Sequence, residues 1–229
     1  MKSKTSSWLI PGAFFLICAC FNLAGKLSGN DPMANFTKPA LLPLLAITSL
    51  AAAGSLESRN MKLLLTAQLL GCTGDILLLF NGFFPFIGGM VAFLAGHVFY
   101  MTLFGGQSWK GLGWKTWLPV LLLMVAAVAG LITAIGVEGD LLVPMCIYGL
   151  VLMLLIFSGL AGVIRLRGCA WWTIFCGAVI FTVSDALIAV ETFQEEPSAW
   201  IPFAIMFTYL LAQSLLAVGA LKLNGTCEN

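Results

Sequence analysis

The sequence predicts an all-α integral membrane protein with eight transmembrane helices in one bundle. Hydrophobic residues make up 60% of the 229-residue chain, charged residues make up only 9%, and the mean hydropathy is +1.02. A soluble domain of ordinary composition carries about 25% charged residues, so that class is excluded here. Apolar runs of about 20 residues, the length of helix that crosses about 30 Å of hydrocarbon, recur along the whole chain.

Eight such runs follow one another with short connections between them. They lie at residues 8–25, 39–56, 62–80, 84–104, 116–135, 141–161, 169–190 and 201–221. The first run resembles a signal peptide, but it lacks a clean cleavage site and leads into further apolar runs, so we interpret it as the first helix. Residues 1–229 are expected to form a single polytopic membrane domain, in a bacterial inner membrane or in the endoplasmic reticulum of a eukaryote.

Basic residues predict the orientation, because Lys and Arg in short loops stay on the cytoplasmic side. With the N-terminus inside, the inner side holds Lys2, Lys4, Arg59, Lys62, Lys110, Lys115, Arg165, Arg167 and Lys222. Only Lys26 and Lys38 then lie outside. We therefore predict that both termini are cytoplasmic.

The outer connections are acidic by the same count. They hold Asp31, Glu138, Asp140, Glu191, Glu195 and Glu196. An acidic rim excludes nucleic acid as a partner and does not favour anionic lipid head groups. We interpret these carboxylates as solvated loop residues.

The seven cysteines predict neither a disulfide framework nor a zinc site. They are Cys18, Cys20, Cys72, Cys146, Cys169, Cys176 and Cys227. They form no C-x-x-C pair, and most fall within apolar runs, where a thiol packs as a small apolar group. Cys72 stands three residues before Asp75, yet the third run offers it no nearby cation that would activate a thiolate.

Two aspartates, Asp75 and Asp185, lie inside the third and the seventh run, in the segments GCTGDILLLF and FTVSDALIAV. A carboxylate in hydrocarbon costs about 3 kcal/mol unless it faces a polar cavity, so chains keep such residues mostly for chemistry or transport. The two lie roughly half the chain apart, as do Tyr100 and Tyr209. This spacing indicates a weak parallel duplication of residues 1–110 and 111–229, with a polar centre where the third, fourth, seventh and eighth helices meet.

Further polar side chains fall in the same runs. His97 and Tyr100 stand three residues apart and Tyr209 and Gln213 stand four apart, so each pair shares one face of its helix. Lys38 opens the second run. At a rise of about 1.5 Å per residue, each aspartate lies about 8 Å below the outer end of its helix, so the site is expected to open toward the outer face.

Each of these side chains also has a structural explanation. A lone histidine on an apolar face, such as His97, is often a hydrogen-bonded core residue. For the two aspartates the structural alternative is a hydrogen bond between helices or an ion pair with Lys38. We interpret Tyr100 and Tyr209 as neighbours of the reacting groups.

Five short motifs follow one another across the eight runs. They are Lys38-Pro39, Gly74-Asp75, Gly96-His97-x-x-Tyr100, Ser184-Asp185 and Tyr209-x-x-x-Gln213. In this order and over nearly the whole chain, they resemble the YhhN family of lysoplasmalogenases.

The resemblance implies a hydrolase of lysoplasmalogens. Such an enzyme cleaves the vinyl-ether bond at the first glycerol carbon and releases a fatty aldehyde and glycerophosphoethanolamine or glycerophosphocholine. The substrate is then a lysophospholipid that enters from the membrane lipid, and neither a metal nor a soluble cofactor is expected. Carried over residue by residue, the catalytic pair is Asp75 and Asp185. The orienting or substrate-binding residues around the pair are His97, Tyr100, Tyr209, Gln213 and Lys38.

The chemistry of a vinyl ether requires both an acid and an anion. Protonation at carbon gives an oxocarbenium ion, which water captures. Two carboxyl groups close together at low dielectric do not both ionise easily, so we expect one aspartate to donate the proton. The other would stabilise the cation and activate water, much as glycosidases divide the work of two carboxyl groups. The sequence leaves open which of the two is the acid, and Lys38 is expected to attract the lipid phosphate.

Two alternatives belong to other classes. A proton-coupled transporter would use Asp75 and Asp185 as proton relays, and broken helices with inverted repeats would indicate it. A metal-dependent hydrolase would use the same aspartates and His97 as a facial set of ligands, and a chelator would inactivate it.

Overall fold

The computed structural model describes residues 7–194 and 198–225. Within these ranges the chain forms eight α-helices and a short 3-10 helix at Gly139–Leu141. The α-helices are α1 (Leu9–Leu27), α2 (Asp31–Ala53), α3 (Arg59–Leu77), α4 (Phe83–Ser108), α5 (Trp114–Ile135), α6 (Leu142–Arg165), α7 (Cys169–Phe193) and α8 (Ile201–Leu223). Five residues used in the sequence interpretation lie outside the described ranges, namely Lys2, Lys4, Glu195, Glu196 and Cys227.

The helices confirm a multi-pass integral membrane protein. In the described ranges, seven of them are long and apolar enough to cross a membrane. Helix α3 is not one of the seven, and it carries Arg59 and Lys62 as well as Asp75. Eight crossings, cytoplasmic termini and the duplication of the two halves therefore stay predictions.

Helix α2 begins at Asp31, well before the predicted residue 39. The Asn30 side chain caps it by accepting a backbone N–H, and Pro32 lies in the first turn, where its missing N–H leaves no bond unmade. Pro39 lies inside the helix, as membrane helices tolerate. The prediction that Lys38 opens the helix is therefore wrong, since Lys38 lies about two turns inside it.

The ends of α3 and α7 also differ from the predicted ones. Helix α3 ends at Leu77 instead of residue 80, and α7 continues to Phe193 instead of residue 190. Asp75 thus lies in the last turn of α3, whereas Asp185 lies more than two turns before the end of α7. The equal depths predicted for the two aspartates do not follow from these bounds.

Helix α8 lies at the centre of the bundle. It packs along α7 and also contacts α1, α2 and α3. Helix α3 packs along α4, both α4 and α7 contact α6, and α5 lies at the edge, mainly against α6. This packing brings side chains from six helices to one buried region between α2, α3, α4, α6, α7 and α8.

Close contact of α6 with α7 depends on Gly159. A Cβ atom at this position would lie 2.6 Å from the Phe175 Cα atom, which is too close for backbone to tolerate. We expect Gly159→Ala to destabilise the protein by about 1–3 kcal/mol, because the helices must separate. Thermal unfolding in detergent measures this loss. Gly130→Ala on α5 is the matched control, since a Cβ there meets nothing within 4 Å and Ala favours the helix. Equal stability of the two variants would contradict the predicted contact.

Candidate active site

Asp75 of α3 lies beside a positive charge. Its Oδ2 atom accepts a hydrogen bond of 2.8 Å from the Tyr209 hydroxyl group of α8. Its Oδ1 atom lies 3.5 Å from the Nζ atom of Lys38 of α2. Asp75 is 2% exposed, so the ammonium group and the hydroxyl group are the main substitutes for water around this carboxyl group. Both partners stabilise a carboxylate.

Asp185 of α7 has different partners. Its Oδ2 atom accepts a hydrogen bond of 2.6 Å from the Tyr148 hydroxyl group of α6. The same oxygen lies 3.7 Å from the Nε2 atom of His97 of α4. In the described part of the chain, no Lys or Arg forms an ion pair with Asp185. The two aspartates therefore occupy unlike environments.

The hydrogen bonding of His97 assigns its tautomer. Its Nδ1 atom lies 2.7 Å from the carbonyl oxygen of Phe93, and because a carbonyl oxygen only accepts, Nδ1 must carry a hydrogen. The Nε2 atom is buried and has no hydrogen-bond partner among the described residues. In a neutral ring this atom presents a lone pair toward Asp185. A carboxylate there would face that lone pair, whereas a protonated carboxyl group would not be repelled.

Aromatic rings fill the space between the two aspartates. The Phe181 ring contacts His97 at a centroid distance of 4.5 Å and Tyr209 at 5.6 Å. The Phe93 ring contacts Tyr209 at 6.0 Å. These contacts join the partners of Asp75 to those of Asp185 in one buried cluster.

Tyr100 and Gln213 lie behind this cluster. The Tyr100 hydroxyl group donates a 2.6 Å hydrogen bond to the Oε1 atom of Gln213, and neither side chain bonds an aspartate. Gly71 of α3 leaves room for both the Tyr209 hydroxyl group and the Gln213 amide nitrogen, which would lie 3.3 and 3.4 Å from a Cβ atom there. Gln213 thus lies next to Tyr209 without a hydrogen bond to either aspartate.

A polar vestibule opens at the end of the bundle that carries the connection between α1 and α2. Its cavity volume is about 630 Å³. The polar side chains that line it are Lys26, Asp31, Asn35, Lys38, Asn81, Glu191 and Thr192. Lys38 therefore faces both the vestibule and Asp75.

An apolar pocket adjoins the vestibule between α4, α5, α6 and α7. Its cavity volume is about 70 Å³, and aliphatic and aromatic side chains make up most of its wall. Asp185, Tyr148 and Thr182 are the polar residues that reach it. Leu78, Phe86 and Ile188 line both cavities, so these three side chains form the boundary between them.

Most of the predicted site residues come together. Lys38, Asp75, Tyr209, His97 and Asp185 are in or beside the cluster. The ion pair between Lys38 and Asp75, which was the structural alternative to a catalytic role, is present. Asp75, Asp185 and His97 do not form the facial set of metal ligands that the metal-dependent alternative requires. Asp75 pairs with Lys38 and Tyr209, whereas His97 approaches only Asp185. No group of three His, Cys, Asp or Glu in the described ranges is placed to hold a metal ion.

Tyr148 was missed by the sequence interpretation. It lies alone in the apolar run 141–161, without a polar neighbour at helical spacing. The rarity of tyrosine in the chain is a signal for Tyr148. The chain has only three tyrosines, and the other two, Tyr100 and Tyr209, are both predicted site residues. All three are buried, and each donates a hydrogen bond to a carboxylate or amide oxygen of another helix.

The fold and the site define a multi-pass helical membrane protein with a buried pair of aspartates. The YhhN family model matches residues 33–220, and the chain belongs to the YhhN family. This confirms the resemblance on which the sequence interpretation relied.

Several curated relatives carry the name lysoplasmalogenase. Lysoplasmalogenase TMEM86B of Homo sapiens is 31% identical over 184 residues, which cover 79% of this chain and 73% of that protein. Lysoplasmalogenase TMEM86B of Mus musculus is 29% identical over 222 residues, covering 94% and 87%. Lysoplasmalogenase TMEM86A of Bos taurus is 31% identical over 153 residues, covering 65% and 61%. No solved structure matches the chain.

Proposed function

We propose that this protein is a lysoplasmalogenase that uses Asp75 and Asp185. It hydrolyses the vinyl-ether bond of a lysoplasmalogen to a fatty aldehyde and glycerophosphoethanolamine or glycerophosphocholine. Family membership and the names of the relatives support the reaction. The observation that carries the residue assignment is the pair of buried carboxyl groups, in unlike environments, between a polar vestibule and an apolar pocket.

The two adjoining cavities suit an amphiphile with one chain. The head group would occupy the vestibule, where Lys38 meets the phosphate, and the alkenyl chain would follow the apolar pocket. The vinyl ether joins these two parts of the substrate, so it would lie at the boundary formed by Leu78, Phe86 and Ile188. Asp185 lines the pocket beside this boundary, and Asp75 is reached from the vestibule through Lys38.

Asp75 is the anion in this proposal. Both aspartates accept a hydrogen bond from a tyrosine, but of the two only Asp75 has an ammonium partner within the described ranges. This partner, Lys38, stabilises the charged form. A charged carboxylate is what an oxocarbenium ion requires. The same carboxylate can take a proton from the attacking water molecule.

Asp185 is the acid. It has no cationic partner from Lys or Arg in the described ranges, and it lies against an apolar pocket. Its neighbour His97 offers a lone pair, which a protonated carboxyl group tolerates and a carboxylate does not. Transfer of the proton to His97 would create a buried pair of charges among aromatic rings, which is costly. The proton therefore stays on Asp185 until the substrate receives it.

The reaction then balances with one water molecule. Asp185 protonates the second carbon of the alkenyl chain, and the resulting oxocarbenium ion is stabilised by Asp75. Water adds to the first alkenyl carbon and gives one proton to Asp75. The product of this addition is a hemiacetal. As the bond from this carbon to the glycerol oxygen breaks, Asp75 returns the proton to that oxygen. The hemiacetal hydroxyl proton goes back to Asp185, and the aldehyde leaves.

An aldehyde assay tests the proposed function. Purified protein is incubated with lysoplasmalogen and with the matching one-chain ester lysolipid, with and without a chelator, and free aldehyde is measured. We expect aldehyde from the vinyl ether alone, at the same rate with chelator. No aldehyde from lysoplasmalogen would overturn the proposal, and loss of activity with chelator would replace it by the metal-dependent alternative.

The hydroxyl and amide groups around the aspartates are expected to orient rather than to react. Tyr209→Phe and Tyr148→Phe each remove one hydrogen bond to an aspartate carboxyl group, so turnover should fall about tenfold. Gln213→Ala should weaken turnover less, because Gln213 contacts no aspartate. Steady-state aldehyde release with folded, purified variants measures these losses. Complete loss in Tyr209→Phe would instead assign Tyr209 a direct part in the reaction.

A further inference from the structure

Glu191 of α7 was interpreted from the sequence as part of a solvated acidic rim. In the fold it lines the vestibule together with Lys26 and Lys38, and it is only partly exposed. Its carboxylate makes no hydrogen bond and no ion pair with the described residues, whereas Asp31 of the same vestibule is paired with Lys26 at 2.9 Å. Glu191 is therefore the acidic side chain of this wall that is free to bind a ligand.

The vestibule carries both signs of charge beyond the pair formed by Lys26 and Asp31. Lys38 lies at its inner end, next to Asp75, and a Lys ammonium group has three N–H donors, so it can hold an anion while it stays beside Asp75. Glu191 follows Asp185 by six residues on α7, which is a rise of about 9 Å toward the mouth of the vestibule. The vestibule thus offers one side chain to an anion and another to a cation.

We propose that Glu191 binds the ammonium group of the lipid head group, and that the vestibule selects ethanolamine over choline. This inference rests on the proposed function. The covalent path from the vinyl-ether oxygen to the head-group nitrogen has nine single bonds and spans up to about 11 Å when three bonds span about 3.8 Å. The phosphate lies near the middle of this path. Lys38 and Glu191, which line the same cavity, therefore offer partners for the phosphate and the ammonium group.

The chemistry of the lining favours a primary ammonium group. Ethanolamine has three N–H donors, which a carboxylate accepts in charge-assisted hydrogen bonds, with the oxygens of Asn35 and Thr192 on the same wall. A trimethylammonium group has no such donor, and proteins recognise it by enclosing it with aromatic faces. Three phenylalanines line the vestibule. Phe80 and Phe83 are 62% and 56% exposed, which leaves Phe86 at the boundary with the apolar pocket as the one aromatic ring of this lining that is partly buried. One partly buried ring does not form an aromatic enclosure.

Glu191→Gln tests the inference, because it keeps the size of the side chain and removes its charge. The kcat/KM for ethanolamine and choline lysoplasmalogens is measured for purified wild type and variant. We expect wild type to favour ethanolamine. For the ethanolamine substrate, kcat/KM should fall about tenfold in the variant, mostly because KM rises. A tenfold loss is the effect expected from one lost charge-assisted hydrogen bond. The choline substrate should change by less than about twofold, which is within the range of a lost surface charge.

Glu57→Gln is the matched control, since Glu57 is exposed in the connection between α2 and α3, away from the vestibule. It should leave both substrates unchanged. Glu191→Asp should restore part of the ethanolamine preference, because the charge is kept. An unchanged ratio of the two substrates in Glu191→Gln, or a wild-type preference for choline, would overturn the inference.

A binding measurement separates this inference from the proposed reaction. Saturated alkyl-ether lysolipids with either head group are titrated into detergent-solubilised protein, and the dissociation constants are compared. Tighter binding of the ethanolamine lipid that is lost in Glu191→Gln supports the head-group site even if no aldehyde is released. If aldehyde is released but the two lipids bind equally, the head-group site is contradicted while the proposed function is supported.

Discussion

Asp75→Asn and Asp185→Asn are each expected to lower lysoplasmalogen turnover by about 10²-fold or more. An amide can neither donate the proton to carbon at position 185 nor accept the proton of water at position 75. Both side chains are nearly isosteric with the originals, so the helices should keep their packing. The measurement is aldehyde release by purified variants, with thermal unfolding in detergent as the check on folding.

Asp140→Asn is the control for this pair, because Asp140 is exposed in the short 3-10 helix outside the site. It should leave turnover unchanged. Infrared spectroscopy of the resting protein then separates the two roles. The carbonyl stretch of a protonated carboxylic acid should be present in wild type, persist in Asp75→Asn and vanish in Asp185→Asn. The loss of a general acid or base should leave about a hundredth of the turnover or less. Turnover above about a tenth of the wild-type value in either Asn variant would therefore rule out the paired mechanism.

A saturated alkyl-ether lysolipid should bind and not react. It has the same head group, nearly the same shape and the same chain, but it lacks the double bond whose protonation creates the cation. We therefore expect no aldehyde and competitive inhibition of lysoplasmalogen hydrolysis. Initial rates at several inhibitor concentrations measure this, and aldehyde or alcohol release from the alkyl ether would mean that the enzyme cleaves ethers by a different route.

A one-chain ester lysolipid should likewise survive. Near the two aspartates, the Cys72 thiol donates a hydrogen bond to the carbonyl oxygen of Pro39, and the Ser184 hydroxyl group donates to the carbonyl oxygen of Ile205. Neither is paired with a basic side chain that would activate it as a nucleophile. Fatty acid release from the ester at a rate comparable with that of aldehyde release would show that the site performs acyl chemistry.

The helices were predictable because the bilayer imposes a length and a composition on every crossing segment. Each predicted run corresponds to a helix, from α1 to α8. Errors fell at helix ends, which hydropathy does not mark. Helix α2 begins at Asp31 because Asn30 caps it in a polar stretch, and that start lies outside the apolar run from which the helix was inferred.

The two aspartates were predictable because an ionisable residue in an apolar run is rare and costly. The unlike environments of the two aspartates were not predictable, because they depend on partners from distant helices. Lys38 reaches Asp75 from α2, and Tyr148 reaches Asp185 from α6. The spacing of residues within one helix carries no information about which side chains of other helices will contact it.

The position of Glu191 likewise depends on contacts between helices that the sequence does not show. In the sequence it follows an apolar run and precedes further acidic residues, so it was interpreted as an ordinary loop carboxylate. In the fold it lies on the last turn of α7 and faces a cavity lined by two lysines of α1 and α2. Only the fold, which places the end of α7 at the same cavity as residues of α1 and α2, distinguishes a vestibule residue from a solvated one.

Hydrolysis in deuterated water tests the proposed proton transfer to carbon most directly. Wild-type protein is incubated with lysoplasmalogen in deuterated water, and the aldehyde is trapped and analysed by mass spectrometry. Unlabelled aldehyde, incubated with the protein under the same conditions, corrects for exchange. The proposed mechanism predicts one deuterium on the carbon next to the aldehyde group, with a slowed rate if protonation limits turnover. Aldehyde without this label would contradict proton transfer from Asp185 to the alkenyl carbon.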